Sequence, residues 1–301
     1  MIPFANIKDI PSLNPNYTFD SEINESIQQV LVSTSPISDK KNELALILNL
    51  IDLTSLEGAD TTLKIEGMCN KVLGLEKYNK IPNVAAICVY PTFAKLVSQK
   101  LKGTKINTAC VAGAFPSGQS SLDIKLKEIE WAINEGATEI DMVISRGKLL
   151  EGKYQEVFDE IVAIKKCCGE IHLKVIIESG ELQSLKNIRI ASDLAMYAGA
   201  DFIKTSTGKI SEGATYKSVY VMLNAIKDFN KATSKKIGMK PAGGISDIET
   251  AINYLKLIDK TVGQEWFDNH LFRFGASRLA NNVLNELSVL VDEPTLKNYF
   301  N

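Results

Sequence analysis

Histidine is almost missing from this chain: His172 and His270, about a hundred residues apart, are the only two. A histidine-rich catalytic metal site is therefore hard to assemble, and no metal is expected. Cysteine is scarce and odd in number. Cys69, Cys88, Cys110, Cys167 and Cys168 form no C-x-x-C pair, so neither a disulfide framework nor a zinc knuckle is indicated. Reduced, mostly buried thiols in a cytoplasmic protein are expected instead. An excess of one charge is missing too. Lys and Arg total 34 against 36 Asp and Glu, a formal net charge of −2, which offers nucleic acid or an anionic membrane no general attraction. No apolar run approaches the roughly 20 residues of a membrane span. The opening stretch, MIPFANIKDIPSLNPNYTFDSEINESIQQ, has neither a basic start nor an apolar centre. Its Asp9, Asp20, Glu22 and Glu25 come without an arginine, so neither a signal peptide nor a mitochondrial presequence is expected. Also absent are a G-x-G-x-x-G dinucleotide loop and a Walker A loop, since Gly208-Lys209 is followed by Ile210.

What is present is a repeated alternation. Short apolar, β-rich segments occur at 49–54, 84–90, 107–114, 138–144, 171–178, 201–207, 236–244 and 271–277, with helix-like segments between them. In SLDIKLKEIEWAINEGA, Leu122, Leu126, Ile129 and Ile133 fall on one helical face. Ser120 or Ser121 can cap its start and Gly136 can stop it. EGATEID and AGADFIK share a helix stop followed by a strand that carries a charge, Asp141 and Lys204. Eight β-then-α units over about 245 residues are the arithmetic of an α/β single (β/α)8 TIM barrel. A doubly wound sheet is the alternative; it normally uses fewer strands and a Gly-rich first turn. The expected organisation is an N-terminal helical extension over 1–40, containing the helix SEINESIQQVLV, then the barrel over 41–285 and a tail over 286–301.

The strands contain charges where apolar side chains are expected: Asp52, Asp141, Lys174, Lys204 and Lys240. Side chains alternate along a barrel strand. If Lys204 points inward, so do Phe202 and Ser206, while Ile203 and Thr205 face the helices. A buried lysine is costly unless its charge is paired or its pKa falls. Free lysine titrates near 10.4, leaving only about 0.04% as amine at neutral pH. A cationic neighbour and partial desolvation can bring it to roughly 7, as in Schiff-base lysines. Lys204 and Lys240, on adjacent strands six and seven, suit that pair of roles. The loops KPAGGIS and FGAS after strands seven and eight stand where barrels often bind phosphate. Gly243, Gly244 and Gly275 allow backbone N–H groups to approach an anion, Ser277 can begin a helix, and Gly208-Lys209 can form a third side.

LIDLTSL, AAICVYP, EIDMVI, LKVIIESGEL, DFIKTSTGK, GMKPAGGI and RFGAS run in order from about residue 45 to 280. Through them the chain resembles the deoxyribose-phosphate aldolases, class I aldolases on a (β/α)8 barrel. The resemblance implies cofactor-free, reversible cleavage of 2-deoxy-D-ribose 5-phosphate to D-glyceraldehyde 3-phosphate and acetaldehyde, in deoxyribonucleotide catabolism. It implies Lys204 as the imine-forming lysine, Lys240 as the lysine that perturbs it and Asp141 as the acid of the proton relay. Asp52, Cys88 and Lys174 match pocket residues, with a packing thiol the plainer role for Cys88. Thr205, Gly208, Lys209, Gly243, Gly244, Gly275 and Ser277 complete the candidate substrate-binding set. Three departures stand out. Arg278 follows Ser277, Ser246 follows GGI where a basic residue is frequent, and the N-terminal extension is long. The phosphate-facing charge is expected to have moved to Arg278. Partners are expected to be a phosphosugar and further copies of the chain, a dimer above all, with neither nucleic acid nor membrane. Tyr299 in the tail TLKNYFN either folds over the active-site mouth or belongs to a disordered end. Another Schiff-base aldolase or transaldolase, a metal-dependent aldolase and a non-catalytic phosphosugar-binding barrel are the other readings.

Overall fold

Each of the eight apolar runs contributes one short parallel strand, and the strands follow one another around a ring. In the computed structural model, which describes residues 7–20 and 22–300, these are β1 (Ile51–Thr54), β2 (Ala86–Val89), β3 (Asn107–Ala112) and β4 (Glu139–Val143), followed by β5 (His172–Ile176), β6 (Phe202–Lys204), β7 (Gly238–Lys240) and β8 (Phe274–Ala276). Consecutive strands pair in parallel from β1 to β7, and β1 also pairs with β8. The bridges Met239–Phe272 and Ala242–Gly275 close the ring between β7 and β8. This is the (β/α)8 barrel expected from the spacing. Every strand is shorter than its apolar run, because ladder bonds form only where both neighbours run alongside.

The helices are α1 (Asn24–Leu31), α2 (Lys40–Asn49), α3 (Thr62–Leu73), α4 (Ala94–Lys100), α5 (Leu122–Asn134) and the short α6 (Arg146–Leu150). After them come α7 (Tyr154–Cys168), α8 (Leu185–Tyr197), α9 (Tyr216–Thr233), α10 (Ile248–Thr261) and α11 (Arg278–Leu290). In α5, Ile129 is buried and Leu122, Leu126 and Ile133 pack against the same core, as their spacing requires. Ser121 holds its N-cap position in extended backbone, but its hydroxyl makes no cap bond. Gly136 ends the turn at φ +101°.

The main core lies between the sheet and the helix ring, with Ile203 among its members. A second apolar cluster, Leu56, Ala86, Cys88, Ala109 and Val111, is made chiefly by β2 and β3. Its small side chains leave room on that side for long ones from the opposite strands. Gly238 is required by a close approach: a Cβ there would lie 2.3 Å from the ring of Phe202, a contact no side chain tolerates.

The N-terminal segment lies against the outside of the barrel. Ile10, Ile23 and Ile27 are buried in the main core, and Tyr17 stacks 5.4 Å from the Arg189 guanidinium on α8. The expected helix over 21–32 is α1, with Ser21 outside the described residues. Helix α2, just ahead of β1, went unread in the sequence. Helix α11 runs through residue 285 to Leu290, and the tail folds back along it. Leu296 N donates to Ser288 Oγ and Phe300 N to Asn281 Oδ1. Asn301 lies outside the described residues. Among these residues no helix is long and apolar enough to cross a membrane.

Candidate active site

The barrel interior is filled with charge rather than with the branched apolar layers usual for this architecture. Asp52 on β1, Glu139 and Asp141 on β4, Lys174 on β5, Lys204 on β6, Lys240 on β7 and Arg273, just ahead of β8, are all buried. Strand register stacks them. Asp141 stands opposite Lys174, and Lys204 opposite Lys240. Asp141 joins three lysines: its Oδ2 accepts from Lys204 Nζ at 2.8 Å and Lys240 Nζ at 2.7 Å, and its Oδ1 from Lys174 Nζ at 3.1 Å. Beneath this level, Asp52 accepts from Lys240 and from Arg273, each at 2.5 Å. Glu139 accepts from Lys174 at 2.5 Å and from Arg273 Nη2 at 2.8 Å. Phe202 packs among them, its ring 5.8 Å from Lys174 Nζ and 5.9 Å from Arg273 Cζ.

Paired charges at this depth persist only because each has partners; removing one member typically costs about 3–5 kcal/mol. Their pKa values separate accordingly. Burial is the largest influence on Lys204 and disfavours its charge. Asp141 opposes that and Lys240 reinforces it, and the net result is a pKa below the ordinary lysine value. Burial also weighs on Lys240, but Asp141 and Asp52 outweigh it and hold its pKa above the ordinary value. Lys174 is raised in the same way, burial losing to Asp141, Glu139 and Asp52. For Asp52, burial is overcome by Lys240, Arg273 and Lys174, so its pKa is lowered. Asp141 is likewise held well below the usual carboxylate range by its three lysines, against burial. One lysine is thus pushed toward the free amine while two neighbours remain ammonium ions.

Lys204 alone of these seven reaches a cavity of about 370 Å³ at the C-terminal ends of the strands. The loops after β6, β7 and β8 form its walls, through Gly208, Lys209, Gly243, Gly244 and Ser277, together with Gly275 of β8 itself. Gly208, Gly243 and Gly244 adopt φ values of +76°, +79° and +78°, the left-handed region that side-chain-bearing residues avoid. Their N–H groups donate to no protein acceptor among the described residues, leaving three backbone donors available to an anion. Gly275 is required by proximity: a Cβ would lie 2.7 Å from Ala242 Cβ and 3.3 Å from Lys240 Cε. Helix α11 starts at the cavity wall, bringing its positive dipole end. Arg278 and Ser246 line the same cavity, so the two departures read from the sequence face one space. Lys209 pairs with Glu57 Oε1 of the β1 loop at 3.0 Å.

Other expected residues lie elsewhere. Asp52 and Lys174 are in the ion network beneath the cavity. Thr205 is buried and clamps β6 to the β7 loop, its Oγ1 donating to Ala242 O and accepting from Ala242 N. Cys88 packs in the inner apolar cluster, and burial raises its thiol pKa, which leaves it a protonated packing group. Tyr299 does not fold over the mouth. Its hydroxyl lies beside Gly74, just past α3, although Asn298 and Phe300 line a groove that borders the cavity at Thr54, Glu57, Ser277 and Arg278. Glu139 and Arg273 were missed by the sequence reading. The signal existed, because each lies two positions before an inward residue, Asp141 and Gly275.

Known proteins similar to this chain bear on its family and its fold. The model of the DeoC/LacD family aldolases matches residues 46–263. The deoxyribose-phosphate aldolase of Homo sapiens is 43% identical over 251 residues, 80% of this chain and 79% of that one. The enzyme of the same name from Bos taurus is 44% identical over 248 residues, 79% of this chain and 78% of that one. The fold is also that of the tetrameric deoxyribose phosphate aldolase structure from Aeropyrum pernix. It has a TM-score of 0.63 and 23% identity, and it covers 88% of this chain and 99% of that one.

Proposed function

The chain belongs to the DeoC/LacD aldolase family, and we propose that it reversibly cleaves 2-deoxy-D-ribose 5-phosphate to D-glyceraldehyde 3-phosphate and acetaldehyde. The observation that carries this reading is one lysine at the cavity floor, its pKa pushed down, with an ammonium and a carboxylate beneath it.

Neutral Lys204 attacks the C1 aldehyde of the open-chain sugar, giving a carbinolamine and, after loss of water, an iminium. The iminium accepts the electron pair of the C2–C3 bond, whose cleavage divides five carbons into three and two. The C3 hydroxyl gives up its proton and C3 leaves as the aldehyde of glyceraldehyde 3-phosphate. Protonation of the remaining enamine at C2 and hydrolysis release acetaldehyde and return the amine. Asp141, 2.8 Å from Lys204 Nζ, relays protons at that nitrogen and orients it. Its low pKa keeps it a carboxylate, a way-station rather than a proton store. Lys240 stays cationic and keeps Lys204 acidic; Asp52, Lys174, Glu139 and Arg273 hold these groups in register. Gly208, Lys209, Gly243, Gly244, Gly275, Ser277 and Arg278 receive the phosphate and so fix C1 over the amine.

Five free cysteines and the lack of a membrane-spanning helix among the described residues fit a soluble cytoplasmic enzyme. Association of copies, as a dimer, completes the reading.

Borohydride reduction in the presence of acetaldehyde, followed by peptide mapping, tests the core of it. A two-carbon adduct on Lys204 is expected. An unmodified protein, or an adduct only on another lysine, overturns the mechanism.

A further inference from the structure

Strand β5 ends at Ile176, and two residues later the chain turns left-handed at Glu178, φ +53° and ψ +62°. A glutamate pays for that conformation, typically about 1–3 kcal/mol, and keeps it only where its surroundings impose it. Here they do. On either side the main chain is tied to β6, by Ile177 N donating to Lys204 O at 3.0 Å and Ser179 N donating to Thr205 O at 2.8 Å. Held between these bonds, the carboxylate is buried and directed at the loop after β6. Its Oε1 accepts from Thr207 N at 3.1 Å, and its Oε2 from Thr207 Oγ1 at 2.5 Å. Thr207 Oγ1 in turn accepts from Lys209 N at 3.1 Å, so one side chain fixes the turn through Gly208. On its far side Glu178 is paired with Arg146 Nη1 at 3.4 Å, and the same nitrogen donates to Pro116 O at 3.0 Å. The contacts Pro116–Arg146–Glu178–Thr207 thus join the loops after β3, β4, β5 and β6 around the mouth of the barrel.

We propose that Glu178 is a positioning residue for substrate selection: it holds Thr207, Gly208 and Lys209 in the shape that receives the phosphate, and so makes the enzyme prefer phosphorylated over unphosphorylated sugar. This rests on the assignment of the β6 loop to phosphate binding. Glu178 does not reach the cavity itself; Thr207, Gly208 and Lys209 line it. A buried carboxylate that accepts a backbone N–H and a hydroxyl costs little once it is paired with a cation. Without it, Thr207 loses both of its acceptors and the turn before Lys209 loses its anchor. Lys204, on the strand itself, keeps its hydrogen bond to Asp141.

Glu178→Gln removes the charge while leaving the shape. In steady-state assays, its KM for 2-deoxyribose 5-phosphate is expected to rise about tenfold, with kcat within about twofold of the unmodified enzyme. Competitive inhibition by inorganic phosphate should weaken by a similar factor. Turnover of 2-deoxyribose should stay within about twofold. Equal losses on both sugars, or an unchanged KM and an unchanged phosphate inhibition constant, overturn the proposal. If Glu178→Gln does not fold, Arg146→Gln, half-buried at the far end of the chain of contacts, serves instead. About a threefold rise in KM for the phosphorylated sugar alone is expected, and none overturns the proposal. Indifference of the unmodified enzyme to the sugar's phosphate overturns the loop assignment and this inference together. A preference that survives intact in the variants overturns only the inference.

Discussion

Asp141 is a single carboxylate serving three lysine nitrogens, and it cannot be exchanged without redistributing all of them. Lys240 is the member whose loss separates the roles most cleanly. Its charge depresses the Lys204 pKa, so Lys240→Met removes that push and leaves Asp141 Oδ2 to Lys204, with Lys174 still on Oδ1. The sign follows directly. Lys204 acts as the free amine, so activity rises with pH through its pKa, and a raised pKa moves that limb upward. For Lys240→Met, kcat/KM at neutral pH is expected to fall about a hundredfold or more, on the scale of lost acid–base assistance. Its rising limb should lie at higher pH than that of the unmodified enzyme. A pH–rate profile checks this, and an unmoved limb refutes it. At this scale the sequence was legible where a charge interrupted an apolar strand. Lys204, Lys240, Asp141, Asp52 and Lys174 announced themselves in that way. Glu139 and Arg273 did not, because each sits near a strand end, where a charge normally faces water. Glu178 was hidden for another reason: its role depends on a left-handed backbone angle, which composition does not encode.

Among the elements, β8 and α11 meet at the cavity wall. Gly275 lets β8 approach Ala242 and Lys240; Ser277 ends the strand, and Arg278 opens α11 at the cavity wall. The opposite wall has Ser246, whose carbonyl accepts from Asn282 Nδ2 of α11 at 2.8 Å. We propose that Arg278 supplies the phosphate-directed charge that Ser246 cannot, since both line the cavity. Arg278→Ala should raise KM for 2-deoxyribose 5-phosphate about fivefold to tenfold, the worth of one phosphate-directed charge of about 1–1.4 kcal/mol, with kcat little changed. An unchanged KM sinks that assignment. The eight strands were readable in number and order because each is a compact apolar run between helical patterns. Their ends were not, since pairing depends on neighbours that sequence does not align. Thr205 shows the same limit, since alternation turns it away from the cavity but cannot name Ala242 as its partner.

On the scale of the whole molecule, the barrel was legible and its surroundings were not. The positions of the N-terminal segment against α8 and of Tyr299 beside Gly74 rest on long-range packing that leaves no periodic trace. Self-association belongs here too. Helix α5 leaves Ile124 and Trp131 exposed at 59% and 48%, one helical face apart from the side that packs inward. A dimer twice the 33.1 kDa of the chain is expected in sedimentation velocity, and Trp131→Asp should shift it toward the monomer. A monomer for the unmodified protein contradicts this.

The buried interior has one further property, electroneutrality. Four cationic side chains, Lys174, Lys204, Lys240 and Arg273, face three anionic ones, Asp52, Glu139 and Asp141. The set is balanced only when Lys204 carries no proton, so the amine form is the state that a poorly solvated interior favours. Forming the iminium puts the surplus positive charge back. Breaking the C2–C3 bond removes it again, because the enamine nitrogen is neutral. The surplus of a single charge therefore favours bond cleavage before any group has touched the carbon being released, and a variant that adds one more buried carboxylate would lose that advantage.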